Sequence, residues 1–285
     1  MNRLFCFGLG FSARALISRL QQTEAGKWRF AGTSRQKQNE PGVETYAFDG
    51  QSPMAASALE GATHLLISIP PAETGDPVLA LHAADIVARA ATVKWIGYLS
   101  TTGVYGDRQG AWVDENSALT PNTERGRRRA AAEEAWLKLG QASGIAVQVF
   151  RLAGIYGPGR NAFVSLREGR AHRAVKPGQV FSRIHVEDVA AVLAASIAKP
   201  NPGAAYNLAD DEAAPPQDVV KHAADLLGIE APPEVPLEQA GLSPMALSFY
   251  ADSKRVRNAR IKQELGVTLK YPTYREGLAA LLEKL

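Results

Sequence analysis

The chain has 285 residues, of which 46% are hydrophobic and 21% are charged, and its formal net charge is +3 at pH 7. This length and apolar content fit one large α/β domain, or a domain with a smaller lobe, and exclude global disorder. The mild net charge indicates no nucleic-acid partner. The single cysteine excludes an internal disulfide. Apolar runs such as Leu65–Ile69 are far shorter than the roughly 20 residues that span a bilayer. We therefore expect a cytoplasmic protein with no membrane or nucleic-acid partner.

Short apolar runs alternate with helical patterns through the first 150 residues. The predicted strands are Arg3–Leu9, Trp28–Thr33, Tyr46–Phe48, His64–Ile69, Val93–Leu99 and Ala146–Leu152. The predicted helices are Ser12–Thr23, Pro77–Ala91 and Pro121–Leu139. Such alternation predicts an α/β fold, with right-handed βαβ units and a doubly wound parallel sheet that helices cover on both faces.

The pattern changes after about residue 158, where glycine and proline become frequent and the elements become shorter. One strong helix is predicted over Val186–Ala198. We expect a sheet domain of residues 1–158, to which residues 185–210 return, and a smaller lobe made of residues 159–184 and 211–285. The basic stretch Lys254–Lys262 is predicted to be helical, with a solvated amphipathic face as its favoured interpretation.

The first predicted strand leads directly into the sequence Gly-Leu-Gly-Phe-Ser-Ala at residues 8–13. In a strand–turn–helix unit the first glycine permits a tight turn, the second lets the backbone approach a pyrophosphate, and a small third residue lets helix and strand pack closely. The start of the helix offers free N–H groups and a partial positive charge to phosphates. A dinucleotide is therefore predicted to bind at Gly8, Gly10, Phe11, Ser12 and Ala13. The alternative is a helix-start turn with incidental glycines.

The end of the second strand distinguishes two cofactors. An acidic residue there would bind the ribose 2′-hydroxyl of NAD, whereas this chain has Thr33, Ser34 and Arg35. A guanidinium can pair with a 2′-phosphate, and hydroxyl groups can donate to it. NADP is therefore predicted, with NAD as the alternative if Arg35 is only an exposed charge. Asp49, after the third strand, and Ser68, near the end of the fourth, complete the predicted cofactor-binding set.

Four motifs occur in order along the chain. They are residues 8–13, Leu99–Gly106 (LSTTGVYG), Phe150–Arg160 (FRLAGIYGPGR) and Ile184–Val189 (IHVEDV). Together they resemble the extended short-chain dehydrogenase/reductase superfamily, in its NAD(P)-dependent epimerase/dehydratase group, over essentially the whole chain. The resemblance implies a Rossmann-type sheet domain, a smaller C-terminal substrate lobe, a small-molecule substrate and, often, a homodimer packed through two long helices of each subunit.

In that family a serine or threonine at the end of the fifth strand hydrogen-bonds the reacting oxygen, and Thr101 matches it. Dehydratases of the family continue with an acid pair, but Thr102 and Gly103 stand here, which disfavours 4,6-dehydration. The family's later Tyr-x-x-x-Lys is matched by Arg125 and Arg129. Arginine stays protonated in proteins, so Arg125 is a poor proton donor or acceptor. Arg129 is expected to bind the ribose or to hold charge near the nicotinamide.

Other residues are candidates for moving the proton. Tyr105 and Tyr156 lie near strand ends, where a parallel sheet places its active site. His185 precedes a helix, and Asp114 and Glu115 follow the fifth strand in a loop. The alternative for both tyrosines is a packed ring with a hydrogen-bonded hydroxyl, for His185 a structural role, and for the two carboxylates an exposed loop.

The densest positive charge of the chain lies at the start of a predicted helix, where the macrodipole is already positive. It comprises Arg125, Arg127, Arg128 and Arg129. An anion bound near Arg125 would offset this repulsion, and a solvated surface run is the alternative. Metal binding is not expected, because the five histidines show no ligand spacing.

Two functions stay open from the sequence. The first is an NADP-dependent oxidoreductase or isomerase-like enzyme that acts on a small or nucleotide-linked anionic substrate, with Thr101 polarising the reacting oxygen and Tyr105, Arg125 and Arg129 as the other catalytic candidates. The second is a non-catalytic NAD(P)-binding sensor or regulatory scaffold, which the absence of the tyrosine and lysine favours.

Overall fold

The computed structural model describes residues 1–36 and 39–285. The strands are β1 (Asn2–Phe7), β2 (Trp28–Ser34), β3 (Val43–Ala47), β4 (His64–Ile67), β5 (Trp95–Thr101), β6 (Trp112–Val113), β7 (Val147–Leu152), β8 (Gly154–Tyr156), β9 (Arg173–Val175), β10 (Arg183–His185), β11 (Ala205–Leu208), β12 (Glu234–Pro236) and β13 (Arg255–Val256). The helices are α1 (Phe11–Thr23), α2 (Pro77–Val87), α3 (Glu124–Ser143), α4 (Ala162–Arg167), α5 (Val186–Ala198), α6 (Pro216–Leu227), α7 (Pro244–Phe249), α8 (Ala259–Leu265) and α9 (Tyr274–Leu282).

The main sheet has seven strands in the order β3-β2-β1-β4-β5-β7-β11, and every neighbouring pair is parallel. The strand order reverses between β1 and β4, so a crevice opens at the carboxyl ends of these two strands. This topology confirms the predicted α/β fold with a doubly wound parallel sheet.

Each face of the main sheet carries its own core. One core includes apolar residues of α1, α5 and α8, and α1 packs against α5. The core on the other face includes residues of α2 and α3. There the Asp76 carboxylate caps α2 by accepting the N–H groups of Val78 and Leu79, and it also accepts the indole N–H of Trp136 in α3 at 3.1 Å. A single carboxylate thus joins the two helices.

The second half of the chain adds smaller units beside the main sheet. Three short parallel pairs form, β8 with β10, β9 with β12 and β6 with β13. A separate apolar cluster comprises Tyr156, Phe163, Ala214, Ala223, Tyr274, Leu278 and Leu281. The predicted boundaries between the domain and the lobe stay a prediction. Within the described ranges, no helix is long and apolar enough to cross a membrane.

Local capping explains where α3 begins, and the bounds of three other elements can be compared with the prediction. The helix predicted from Pro121 begins at Glu124, because the Thr123 hydroxyl accepts the N–H of Gly126 at 3.1 Å and so caps α3. The helix predicted over Val186–Ala198 has these bounds in the structure. The helix predicted to reach residue 91 ends at residue 87, and the predicted third strand, 46–48, lies at 43–47.

The prediction of one helix over Lys254–Lys262 is wrong. The backbone N–H of Arg255 donates to the carbonyl of Ala111 at 2.9 Å, and the N–H of Arg257 donates to that of Val113 at 2.8 Å. These bonds make the start of the basic stretch a strand, β13, and helix α8 begins only at residue 259. Pairing with a distant segment has overridden the local helical pattern.

Candidate functional site

The turn after β1 is braced by two neighbouring strands. Gly8 has φ +95°, and a Cβ at this position would lie 2.8 Å from the Ser68 hydroxyl, so glycine is required. The Gly8 N–H donates to the Thr33 hydroxyl at 2.8 Å, and the Ser68 hydroxyl donates to the Gly8 carbonyl at 2.8 Å. Thr33 is fully buried. Its hydroxyl therefore supports the turn and does not face the position expected for a 2′-phosphate.

The start of α1 is open to a ligand. Gly10 is its N-cap, and no side chain caps the helix. A Cβ at Gly10 would meet only the Ser68 hydroxyl, at 3.9 Å. Phe11 and Ser12 line the same cavity as Gly10, whereas Ala13 is fully buried against the sheet. Uncapped N–H groups with free space before them are the arrangement that binds phosphate oxygens.

The ends of β2 and β3 carry the other predicted cofactor contacts. Arg35 is exposed directly after β2, and it forms no ion pair with another residue that the structure describes. The Ser34 hydroxyl donates to the carbonyl of Gln36. Asp49 is exposed, and its carboxylate accepts the N–H of Gln51 at 2.9 Å. Of these three groups, the Arg35 guanidinium is the one that carries a positive charge, and its exposed position leaves it accessible to an anion.

A cavity of about 1080 Å³ runs from this turn into the second half of the chain. Gly10, Ser12 and Ser68 line it at the turn, and Thr101 lines it at the end of β5. Thr101 is half-buried, and its hydroxyl oxygen accepts the N–H of Gly103 at 3.1 Å. Its hydroxyl proton is therefore available for an oxygen atom in the cavity. The far side is lined by residues that include Arg160, Arg170, His172, Ser182, Phe249, Asp252 and Lys254.

The arginines at the start of α3 differ in their partners. Arg127 and Arg128 pair with Glu124, at 2.9 and 3.1 Å. Arg129 is buried, and its guanidinium donates to the carbonyl of Leu99 at 2.5 Å. Arg127 and Arg128 are therefore paired with a carboxylate, and the Arg129 guanidinium is hydrogen-bonded to a backbone carbonyl.

Arg125 is the fourth arginine, and it faces the cavity. Its guanidinium lies 5.6 Å from the centre of the Phe249 ring and forms no ion pair with a described residue. Burial, together with the neighbouring charges of Arg129 and Arg160, lowers the pKa of Arg125. Arg160 also lines the cavity and has no carboxylate partner within the described part of the chain. Two uncompensated guanidinium groups therefore face the same space.

A buried ion pair fixes α3 against the sheet, and sequence reasoning did not find it. Arg151 in β7 makes three hydrogen bonds to the Glu133 carboxylate, at 2.9, 3.1 and 3.3 Å. The hydroxyl of Ser100 in β5 donates to the same carboxylate at 2.5 Å. Only 2% of the Glu133 side chain is exposed. Ser100 lines the cavity beside Thr101, whereas Glu133 and Arg151 do not line it. The network therefore joins α3 to β5 and β7 next to the cavity.

The segment before β13 contributes a second group that the sequence pattern did not indicate. Side chains alternate along an extended segment, and Asp252, Lys254 and Val256 all line the cavity. Ser253 and Arg255 point elsewhere and donate to the carbonyls of Gly178 and Gly110. Lys254 is therefore buried in the cavity wall, and the expected solvated face is wrong at this residue.

Comparison with known proteins adds a family to this geometry. Residues 79–209 match the model of the NAD dependent epimerase/dehydratase family. The chain belongs to this family. Among its relatives, Protein YeeZ of Escherichia coli K12 is 28% identical over 289 residues, which cover 95% of this chain and 97% of YeeZ.

Solved structures show the same fold as this epimerase/dehydratase family member. A functionally unknown conserved protein from Silicibacter pomeroyi DSS is 52% identical, with a TM-score of 0.88 and coverage of 100% of this chain and 99% of that chain. The dTDP-glucose 4,6-dehydratase of Bacillus anthracis, solved in complex with NAD, is 18% identical, with a TM-score of 0.77 and coverage of 99% and 96%. The second likeness concerns the fold alone.

In this family member, the two tyrosines considered as proton-transfer groups lie outside the cavity lining. Tyr105 is fully buried; its hydroxyl donates to Asn207 Oδ1 at 2.7 Å and accepts from Arg151 at 2.9 Å. Burial raises the pKa of Tyr105 to about 12. Tyr156 is buried too, with its hydroxyl 3.4 Å from the carbonyl of Thr273. The expectation that Tyr105 reaches the substrate therefore does not agree with its position, because its hydroxyl serves the Arg151 network.

The remaining candidates of this family member have structural partners. The His185 ring accepts the N–H of Glu187 at 3.2 Å and caps α5, and burial lowers the pKa of His185 to about 4. Glu115 accepts the N–H of Asn207 at 2.8 Å, and Asp114 closes a turn through hydrogen bonds with a nearby serine. Within the described residues, no group of ligand-type side chains could hold a metal ion.

Proposed function

We propose that this chain binds a nicotinamide dinucleotide, NADP in preference to NAD, and acts as an oxidoreductase or isomerase-like enzyme on a small or nucleotide-linked anionic substrate. The observation that carries the proposal is one cavity that joins the uncapped start of α1 and Thr101 to the unpaired guanidinium groups of Arg125 and Arg160. The cavity is large enough for a cofactor end and a substrate together.

The residues at the turn fit a dinucleotide. The open N–H groups at the start of α1 would hold the diphosphate, and the exposed Arg35 would pair with a 2′-phosphate. The dehydratase of the same fold from Bacillus anthracis has NAD in its structure, which supports the cofactor class. Bound there, the nicotinamide supplies or accepts a hydride at a substrate carbon.

The arginines support an anionic substrate. Arg125 and Arg160 repel each other across the cavity, and a carboxylate or phosphate between them would relieve this repulsion. A guanidinium can bind either group through two parallel hydrogen bonds. With the anion held there, the Thr101 hydroxyl would donate to the reacting oxygen. Arg125 itself moves no proton, because arginine stays protonated.

The cofactor part is tested by titrating the protein with NADPH and with NADH. A charge-assisted hydrogen bond contributes about 1.5–3 kcal/mol, so Arg35→Ala is expected to weaken NADPH binding about 10- to 100-fold. Binding of NADH should not change. Arg29→Ala is the matched control, because Arg29 is exposed on the same strand at its other end. Failure of both dinucleotides to bind would reject the function, and equal effects of the two variants would reject the role of Arg35.

The catalytic part is tested by a hydride-transfer assay over sugar nucleotides and anionic aldehydes. Arg125→Ala is expected to raise the KM of any anionic substrate, whereas Arg127→Ala, which changes an arginine paired with Glu124, should not. The non-catalytic alternative rests on the arginines that replace tyrosine and lysine at residues 125 and 129. Tight NADPH binding without turnover across the panel would favour that alternative.

A further inference from the structure

Lys254 has an unusual position for a lysine. It lies in the cavity wall with only 8% of its surface exposed, whereas lysine is almost never buried without a partner. Its neighbour Ser253 is held from two sides: its N–H donates to Asp107 Oδ1 at 2.8 Å, and its carbonyl accepts the N–H of Gly110 at 2.9 Å. Since these bonds fix the backbone, the side chain of Lys254 is directed into the wall of the same cavity that contains Thr101.

The ammonium group of Lys254 pairs with a carboxylate. Its Nζ donates to Asp252 Oδ2 at 3.0 Å, and the other oxygen of Asp252 is buried without a hydrogen-bond partner. Asp107 and Arg108, both from the loop after β5, are two further charged groups that act on Lys254. Burial lowers the pKa of Lys254, the two carboxylates raise it, and Arg108 lowers it further. Burial is the largest of these effects, so the amine form is more accessible than in an exposed lysine.

We propose that Lys254, positioned by Asp252, is the proton-transfer group of this cavity, acting on the oxygen of a substrate held by Thr101 and Arg125. This role rests on the proposed function. Lysine can alternate between ammonium and amine when buried, whereas arginine cannot. Lys254 therefore supplies the proton chemistry that is missing where Arg125 stands at the tyrosine position of the family pattern.

The step balances for a carbonyl substrate. The carbon gains a hydride from a reduced nicotinamide, and the carbonyl oxygen gains a proton from the Lys254 ammonium. The products would be an alcohol, an oxidised nicotinamide and a neutral Lys254 amine, and the amine would regain its proton from solvent. In the opposite direction the amine takes the proton of the alcohol. Asp252 stays a carboxylate throughout and stabilises the ammonium form.

The reactivity of the Lys254 amine can be measured without turnover. Glyoxylate condenses with a neutral amine to give an imine and water, and cyanoborohydride reduces this imine to a stable secondary amine that peptide mass spectrometry locates. We expect Lys254 in the full-length protein to be trapped at lower pH than Lys262, which lies 38% exposed on α8. Arg125→Ala should slow trapping at Lys254 only, because it removes a guanidinium that holds the glyoxylate carboxylate.

Two variants separate proton transfer from a structural role. Asp252→Asn removes a negative charge that raises the pKa of Lys254, so the pH midpoint of trapping should fall. If Lys254 transfers the proton, the pH profile of kcat on a carbonyl substrate should shift with that midpoint, whereas a purely structural ion pair would shift the midpoint alone. Lys254→Met should lower kcat at least about 100-fold, the usual contribution of general acid–base catalysis, on any carbonyl substrate that NADPH reduces. Its NADPH affinity should match that of wild type, which also shows that it folds, and Lys262→Met is the matched control.

The outcomes distinguish this proposal from the proposed function. If the protein binds NADPH but Lys254 is trapped with the pH dependence of Lys262, or Lys254→Met keeps its kcat, the role of Lys254 is overturned and the proposed function stands. If neither dinucleotide binds, the proposed function falls, and the role of Lys254 falls with it. Should Lys254→Met fail to fold, Asp252→Asn decides, and a pH profile of kcat that does not follow the trapping midpoint overturns the proposal.

Discussion

Replacing Gly10 with alanine separates the stability of the turn after β1 from its capacity to bind a diphosphate. Gly10 has φ −88° and ψ −172°, which alanine adopts freely, and an added Cβ would meet only the Ser68 hydroxyl, at 3.9 Å. Alanine is a weaker N-cap than glycine, but it reduces the entropy of the unfolded chain, and each effect is at most about 1 kcal/mol. The two effects oppose each other, so the free energy of unfolding should change by less than about 1 kcal/mol.

Binding should respond far more strongly to Gly10→Ala. The new methyl group would occupy the space between the start of α1 and a diphosphate, and displacing one charge-assisted hydrogen bond costs about 1.5–3 kcal/mol. The Kd for NADPH should therefore rise about 10- to 100-fold. Fluorescence titration with NADPH measures the affinity, and urea denaturation of the same preparation measures the stability.

Gly8→Ala provides the contrast for this measurement. Gly8 has φ +95°, and its Cβ would lie 2.8 Å from the Ser68 hydroxyl, so this variant should lose stability as well as affinity. Wild-type affinity of Gly10→Ala for both NADPH and NADH would refute the reasoning, because the diphosphate could not then lie against this turn.

Three further predictions concern the interior. Glu133→Gln leaves the Arg151 guanidinium without a balancing charge, which should lower the free energy of unfolding by about 3–5 kcal/mol in urea denaturation; a loss below about 1 kcal/mol would contradict a buried pair. Gly277→Ala places a Cβ in steric conflict with the Tyr156 hydroxyl, so overpacking should cost about 1–3 kcal/mol, and an unchanged Tm would show that the ring moves aside freely. Burial raises the pKa of Asp210 from 3.8 to about 8, so its protonated form stabilises the folded state at low pH and this contribution is lost as pH rises from about 4 to about 8. Asp210→Asn should therefore flatten the decline of Tm over that range, and parallel curves for variant and wild type would count against the shift.

The features that could be predicted from sequence are those set by neighbouring residues. The alternation of strands and helices predicts the sheet, because period and turn chemistry act over a few residues. The helix over Val186–Ala198 has the predicted bounds, since its apolar positions repeat regularly and His185 caps it. The glycines after β1 lie at a strand–helix turn, as their spacing indicates.

The features that could not be predicted depend on contacts between distant segments. Lys254 belongs to a basic run with helical spacing, but it is buried in an extended segment whose Ser253 bonds to a carboxylate 146 residues earlier. Tyr105 was a catalytic candidate near a strand end, yet its hydroxyl is taken up by Asn207, 102 residues later. Arg160 meets Arg125 only in the folded chain. No local pattern carries information on such pairings.

The anchoring of α3 has a consequence for how this site can evolve. Trp136 is bonded to Asp76, and Glu133 to Arg151, so two side-chain contacts that hold the helix lie beyond its first turn. The side chain at residue 125 projects into the cavity and takes no part in them. Substitutions at residue 125 can therefore change the chemistry of the cavity while the protein still folds. The arginine at this position is better understood as a change in the chemistry of the site than as the loss of its function.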